Sequence, residues 1–210
     1  SIFMAVAVLI AVGTIFIMPF LAKAVTPGFS PDERTATTLL ARIMMISPLL
    51  LGLSGIISAV TQSFRRFAVF ALSPVVYNLG IIFGILFLLP IFGMSGLALG
   101  VIIGAMFHLA VQLYGFFGLG FNLKMASPRY LSEPVIKIMK LSFPRVIAAS
   151  INNLTAVFLV AISSTLAAGS ISIYQFANNL GGLPIGIFGV SFAIASFPSL
   201  SENFIKRDAK

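Results

Sequence analysis

The sequence has no cysteine, one histidine, and only five acidic residues in 210. Without cysteine there is no disulfide framework, no thiolate nucleophile and no cysteine-based metal site. The acids Asp32, Glu33, Glu133, Glu202 and Asp208 all fall in connectors or in the tail, between long apolar runs. Together with His108 they supply no paired carboxylates, no catalytic dyad and no metal-ligating cluster. GxGxxG and Walker patterns are missing as well, which leaves nothing in the chain to hydrolyse ATP. The chain is expected not to be an enzyme and to carry neither cofactor nor metal.

Charge of either sign is scarce. Charged residues make up 9% of the chain, against about a quarter in a soluble domain. Hydrophobic residues make up 59%, and the mean hydropathy is +1.11. What remains is a series of apolar runs, each long enough for a helix of about 20 residues to cross a bilayer core of ~30 Å. The ~10-residue alternating segments of a membrane β-barrel do not occur. The fold class is therefore all-α, a polytopic integral membrane helical bundle. No signal peptide is visible, and the chain opens in an apolar run without an initiator methionine, as expected of a segment of a longer protein.

Six spans are expected, at 2–25, 37–61, 67–90, 93–119, 141–168 and 171–200. The first connector, TPGFSPDERTA, has turn chemistry and nearly balanced charge. The second carries Arg65 and Arg66. The third, near Gly93, is tight and uncharged. The fourth, 120–140, carries Lys124, Arg129, Lys137 and Lys140 against Glu133. The fifth, at 168–170, is again uncharged, and the tail holds Lys206, Arg207 and Lys210. Basic and non-basic connectors alternate, so the positive-inside rule puts the second and fourth connectors and the tail in the cytoplasm. The net charge of +8 thus reads as orientation signals and contacts with lipid headgroups, not as a nucleic-acid surface. Ser132, Glu133 and Pro134 look like a helix start, with a short amphipathic surface helix to follow. The expected organisation is a four-span part at 1–119, a cytoplasmic linker at 120–140, a two-span hairpin at 141–200 and a cytoplasmic loop at 201–210.

In lipid, helices associate through small residues and polar side chains, so stripes of these mark protein-facing or cavity-facing surfaces. The fourth span carries Gly93, Gly96, Gly100, Gly104, His108 and Gln112 almost all four apart. His108 at the end of this ridge reads either as bonded to a neighbouring helix or as a proton relay. The second span has a similar stripe of Gly52, Gly55, Ala59 and Gln62. In the sixth, Gln175, Asn179, Gly182, Gly186, Gly189, Ala193 and Ser196 share one helix face, and Pro184 marks a bend or hinge. Arg42, about one turn into the second span, either snorkels or lines a wet cavity. Arg145 is an orientation anchor or a cavity residue. Asn78, Asn152, Asn153, Gln175, Asn178 and Asn179 are candidates for interhelical hydrogen bonds or for substrate contacts in a hydrated central cavity.

Several of these runs resemble one family. TPGFSPDE followed by LLARIMMISPLLLGLSGIISAVTQSFRRFAVFALSPVVYNLG is similar to the third-to-fifth-span region of the MurJ/MviN lipid II flippases. These belong to the multidrug/oligosaccharidyl-lipid/polysaccharide exporter superfamily. FPRVIAASINNL and GSISIYQFANNLGGLPIGIFGVSFAIASFPSLSE resemble the family's seventh and eighth spans. The resemblance implies that the six spans are the third to eighth of a 14-span, two-lobe transporter in the bacterial cytoplasmic membrane. It implies alternating-access flipping of the undecaprenyl-pyrophosphate-linked peptidoglycan precursor, with membrane lipids and cell-wall synthesis proteins as partners. Other members of the superfamily export polysaccharide units or drugs, and a non-transporting membrane scaffold or enzyme is the reading from another class. Many members carry Ala-Asp-Arg-Leu in the eighth span, where this sequence has Ala177-Asn178-Asn179-Leu180. At Asn179 an amide thus stands in the arginine position; it can hydrogen-bond a phosphate but cannot neutralise it.

Overall fold

The structure, a computed structural model, describes residues 2–119 and 133–208. Lys124, Arg129, the Ser132 helix start and Lys210 lie outside the described residues. The helices are α1 (Ile2–Val25), α2 (Pro31–Met44), α3 (Ile46–Ser63), α4 (Phe67–Phe83), α5 (Leu89–Phe92), α6 (Met94–Phe117), α7 (Glu133–Ser164), α8 (Ser170–Pro184) and α9 (Ser191–Asp208). Two π-helical segments, Gly84–Leu88 and Ile185–Val190, join α4 to α5 and α8 to α9. No strand occurs among the described residues. Six segments are long and apolar enough to cross a membrane: Met4–Val25, Pro31–Ser63, Phe67–Phe92, Met94–Phe117, Lys140–Ser164 and Ser170–Ser201. The chain is therefore a multi-pass helical membrane protein, as its composition requires.

Several helix boundaries differ from the expected ones, among them the end of α9, which runs to Asp208 through residues expected as a loop. The second span starts at Pro31 rather than at residue 37, because Ser30 and Glu33 cap it reciprocally. Glu33 Oε2 accepts from the Ser30 N–H at 2.8 Å, and the Glu33 N–H donates to Ser30 Oγ at 3.4 Å, with Pro31 in the first turn. This span is also interrupted. Pro48 has no N–H to offer the carbonyl of Met44. The helix breaks at Met45, whose N–H turns back to the Arg42 carbonyl at 3.3 Å. Finally, α7 runs unbroken from Glu133 to Ser164, so the expected surface helix and the fifth span are one element. Pro144 removes a single rung, and no glycine occurs between residues 133 and 164 to end the helix.

The packing centre is α6. Its ridge of Gly96, Gly100 and Gly104, all buried, lies against Gly80 and Gly84 of α4 and its π-helical continuation, and against Leu88. A Cβ at Gly100 would stand 2.6 Å from the Cα of Gly84. A Cβ at Gly104 would run into the Tyr77 carbonyl, and one at Gly96 into the Leu88 carbonyl. The two backbones touch directly, which is how helices gain dispersion energy where lipid gives no hydrophobic drive. The turn that reverses the chain into α6 is Gly93, at φ 60° and ψ −146°, a region open essentially to glycine alone.

On its other side α6 meets α3 through a polar seam. Ser54 Oγ and His108 Nδ1 are 2.7 Å apart. Thr61 Oγ1 donates to Gln112 Oε1 at 3.1 Å. The Tyr77 ring stands edge-on to His108, with centroids 6.5 Å apart. His108 is thus bonded to a neighbouring helix, at a strength near ~0.6 kcal/mol for such a bond in a membrane bundle. The stripe that α3 buries is not the expected Gly52, Gly55, Ala59 and Gln62. It is Ser47, Ser54, Ser58 and Thr61. Hydroxyls cannot be left facing lipid unpaired, and α6 presents His108 and Gln112 one turn apart to receive two of them. Gly55 is left with open space beside it.

Replacing Gly100 with leucine is therefore expected to cost about 1–3 kcal/mol or more, the penalty of overpacking. Gly55→Leu should leave stability near the native value. Thermal unfolding of the full-length protein in detergent checks this, and equal losses in the two variants would contradict the assigned packing.

Candidate functional site

The α7–α9 hairpin meets the α1–α6 group at one end. There the Gly28 N–H donates to Ser164 Oγ at 3.2 Å. The backbones approach so closely that a Cβ on Gly28 would overlap the Ser164 carbonyl. The loop presenting Gly28 is held by Arg34, whose Nη2 donates to the Pro27 carbonyl at 2.6 Å and whose Nε donates to the Thr26 carbonyl at 3.3 Å. Ser164, at the last turn of α7, is itself buried.

At the opposite end the two groups stand apart. A gap of about 700 Å³ separates the α3–α4 turn from α9. Ala59, Gln62 and Arg65 line one wall, and Ala193, Phe197 and Ser201 line the other. Ala59 and Gln62 come from the small stripe of α3 that α6 does not cover, and Ala193 from the small face of α9. These three members of the stripes face the gap.

The α3–α4 turn is a Schellman motif. The Arg66 N–H reaches back to the Thr61 carbonyl at 2.9 Å, and the Arg65 N–H to the Gln62 carbonyl at 2.8 Å. The residue between these bonds and α4 must be left-handed, and it is Arg65, at φ 57°. Glycine or asparagine usually fills that position, and a bulkier residue there costs about 1–2 kcal/mol. Among the described residues, Arg65 alone is a non-glycine with positive φ. Its neighbour Arg66 turns the other way, and its Nη2 donates to the Gly118 carbonyl at 3.3 Å, capping the end of α6.

The candidate residues distribute as follows. Arg42 is exposed, and its Nε donates to the Ile15 carbonyl at 3.2 Å, fastening α2 to α1. Asn78 is also exposed and bonds within its own helix, Nδ2 to the Pro74 carbonyl at 2.9 Å. Arg145 and Asn153 are exposed on α7; the side chain of Asn152 lies outside the described residues. Gln175, Asn178 and Asn179 are exposed along α8. The space beside Gly182 and Gly186 is open, and Gly189 has only Ile185 within van der Waals reach. At Pro184 the α-helical pattern gives way to a π-helical segment, a wide turn of the kind found at functional sites. None of the seven amide and arginine candidates whose side chains are described lines the gap. Arg65, which does, reads in the sequence as an orientation charge, and only its left-handed backbone distinguishes it.

A family model described as "Lipid II flippase MurJ" matches residues 1–210. A protein of Buchnera aphidicola subsp. Acyrthosiphon pisum described as "Probable lipid II flippase MurJ" is 34% identical over 182 residues, covering 85% of this chain and 35% of its own length. One of Borreliella burgdorferi with the same description is 32% identical over 158 residues, covering 75% and 31%. The "Lipid II flippase MurJ" of Burkholderia cenocepacia is 27% identical over 193 residues, covering 89% and 37%. The chain spans about a third of the length of these curated relatives. With the six membrane-spanning segments and the matched length, the chain belongs to the lipid II flippase MurJ family.

Proposed function

We propose that the full-length protein carrying this segment translocates lipid II, the undecaprenyl-pyrophosphate-linked peptidoglycan precursor, across the bacterial cytoplasmic membrane by alternating access. The observation that carries this reading is the asymmetry of the two helix groups. They meet at Gly28 and Ser164 and part at the Arg65 end, which leaves a gap of about 700 Å³. The basic connectors put the open end in the cytoplasm, so the arrangement is the one that receives a substrate made inside the cell. Transfer outward then needs the Gly28–Ser164 contact to separate and the gap to close.

Within this reading Gln175 and Asn179 belong to the substrate path, continued by the open glycine face of α8 and the π-helical segment after Pro184. Arg42, Asn78, Arg145, Asn152, Asn153 and Asn178 stand nearer to structural roles, and Arg42 and Asn78 already have backbone partners. An Asn179 amide offers a hydrogen bond to a phosphate oxygen without charge.

The direct test is exposure of lipid II on the outer leaflet in cells depleted of this protein. Exposure at the normal rate in those cells would sink the proposal. Asn179→Ala is expected to lower the flipping rate about tenfold, the size of one lost hydrogen bond to a charged group. Wild-type transport in a well-expressed variant would return Asn179 to the structural residues. Gly28→Val, which forces the closed end apart, should slow flipping at least as much while leaving the α1–α6 group folded. Unchanged transport would show that the Gly28 contact takes no part in the cycle.

A further inference from the structure

We infer that the seam between α3 and α6 holds a site for one internal water molecule, bound by the side-chain amide of Gln112. The inference stands apart from the flippase reading. Gln112 is wholly buried. Its Oε1 takes the Thr61 hydroxyl at 3.1 Å, but its Nε2 has no hydrogen-bond partner among the described residues. The chain's own atoms already cover this amide, so no further span packed on the outside can reach it. Only a molecule small enough to sit within the seam can supply the missing bond. In a bundle surrounded by lipid, an unpaired amide has no bulk solvent to turn to, and the deficit is costly.

Turning the amide over does not remove the deficit. Thr61 has one hydroxyl proton, and the Ser58 carbonyl at 3.0 Å claims it as well as Gln112 Oε1. With the amide reversed, Nε2 would donate to Thr61 Oγ1, and Thr61 would keep its proton for Ser58. Oε1 would then be the atom without a partner. The missing group is thus an acceptor in one orientation and a donor in the other. An anion serves only the first and a cation only the second, whereas water serves both. Internal waters take about two to four partners from polar groups that are otherwise unsatisfied. Ser58 Oγ, buried in the same seam, accepts from Gln62 Nε2 at 3.2 Å and has a proton of its own to give. Gln62 also lines the gap, so polar groups run from the gap through Ser58 and Thr61 to Gln112. That line gives a water its way in.

The test is water-edited, proton-detected solid-state NMR on the full-length protein in lipid, with 15N-labelled glutamine. Polarisation passes from water protons to side-chain amides, and the Gln112 pair is assigned by its absence from Gln112→Met. Should that variant fold poorly, Gln112→Asn keeps an amide in the seam and assigns the pair as well. Gln62 at the gap serves as the hydrated reference. The Gln112 amide is expected to take up water polarisation at a rate comparable with that of Gln62. Stability gives a second readout. A dry seam is relieved of an unpaired polar group when Gln112 becomes methionine, so the unfolding temperature holds or rises. A hydrated seam loses satisfied hydrogen bonds, so the expected result is a lower unfolding temperature in Gln112→Met. No uptake at Gln112 while Gln62 takes it up overturns the inference, and so does an unfolding temperature that holds or rises. No lipid II enters the experiment, so its outcome is independent of what the protein transports.

Discussion

Backbone against backbone is the contact on which this arrangement depends. In water a helix bundle is driven together by its apolar side chains; in lipid those side chains are equally content outside. Here Gly80 and Gly84 meet Gly100 and Gly104 with no side chain between them, and the α4–α6 pair becomes a fixed unit. Its closeness sets the rotation of α6 about its axis. With the glycine ridge turned to α4, His108 and Gln112 are turned to α3, where Ser54 and Thr61 receive them. Two hydroxyls of α3 are thereby taken up in the seam, and Ala59 and Gln62 are left to face the gap.

The same logic separates the closely packed part of the chain from the part attached at one end. The α1–α6 group is tied by close glycines, by the α3–α6 seam, and by arginines that donate to backbone carbonyls at Ile15 and Gly118. The α7–α9 hairpin has a close approach and a hydrogen bond to this group at Gly28 and Ser164. Beyond that joint a gap of about 700 Å³ parts α9 from the α3–α4 turn.

How much of this could be read from the residues alone follows from which physics was local. The six spans and their alternating connectors were legible, because span length and charge asymmetry are properties of single segments. The early start of α2 was legible too, in the Ser30-Pro31-Asp32-Glu33 capping box, but its turn residues drew the reading toward a loop. The break at Met45 follows from Pro48 once the missing N–H is counted. The glycine ridge of α6 was visible, whereas its partner surface on α4 depends on tertiary pairing. For α3 the choice between a glycine stripe and a hydroxyl stripe turned on where α6 placed its histidine and glutamine. Asn179 and its neighbours were marked by polarity in an apolar run, yet among the described residues lining the gap the charged one is Arg65, whose type is ordinary for a basic connector. What sets it apart is a dihedral angle, and no composition or spacing encodes that.

The most direct measurement is the distance across the gap. Spin labels at Ser63 and Ser201, in a cysteine-free full-length protein in lipid, report that distance by double electron–electron resonance. Two populations are expected, one matching the open gap seen here and one shorter, with their ratio shifting when lipid II is added. A single distance that does not change with lipid II would contradict an element that opens and closes at this end.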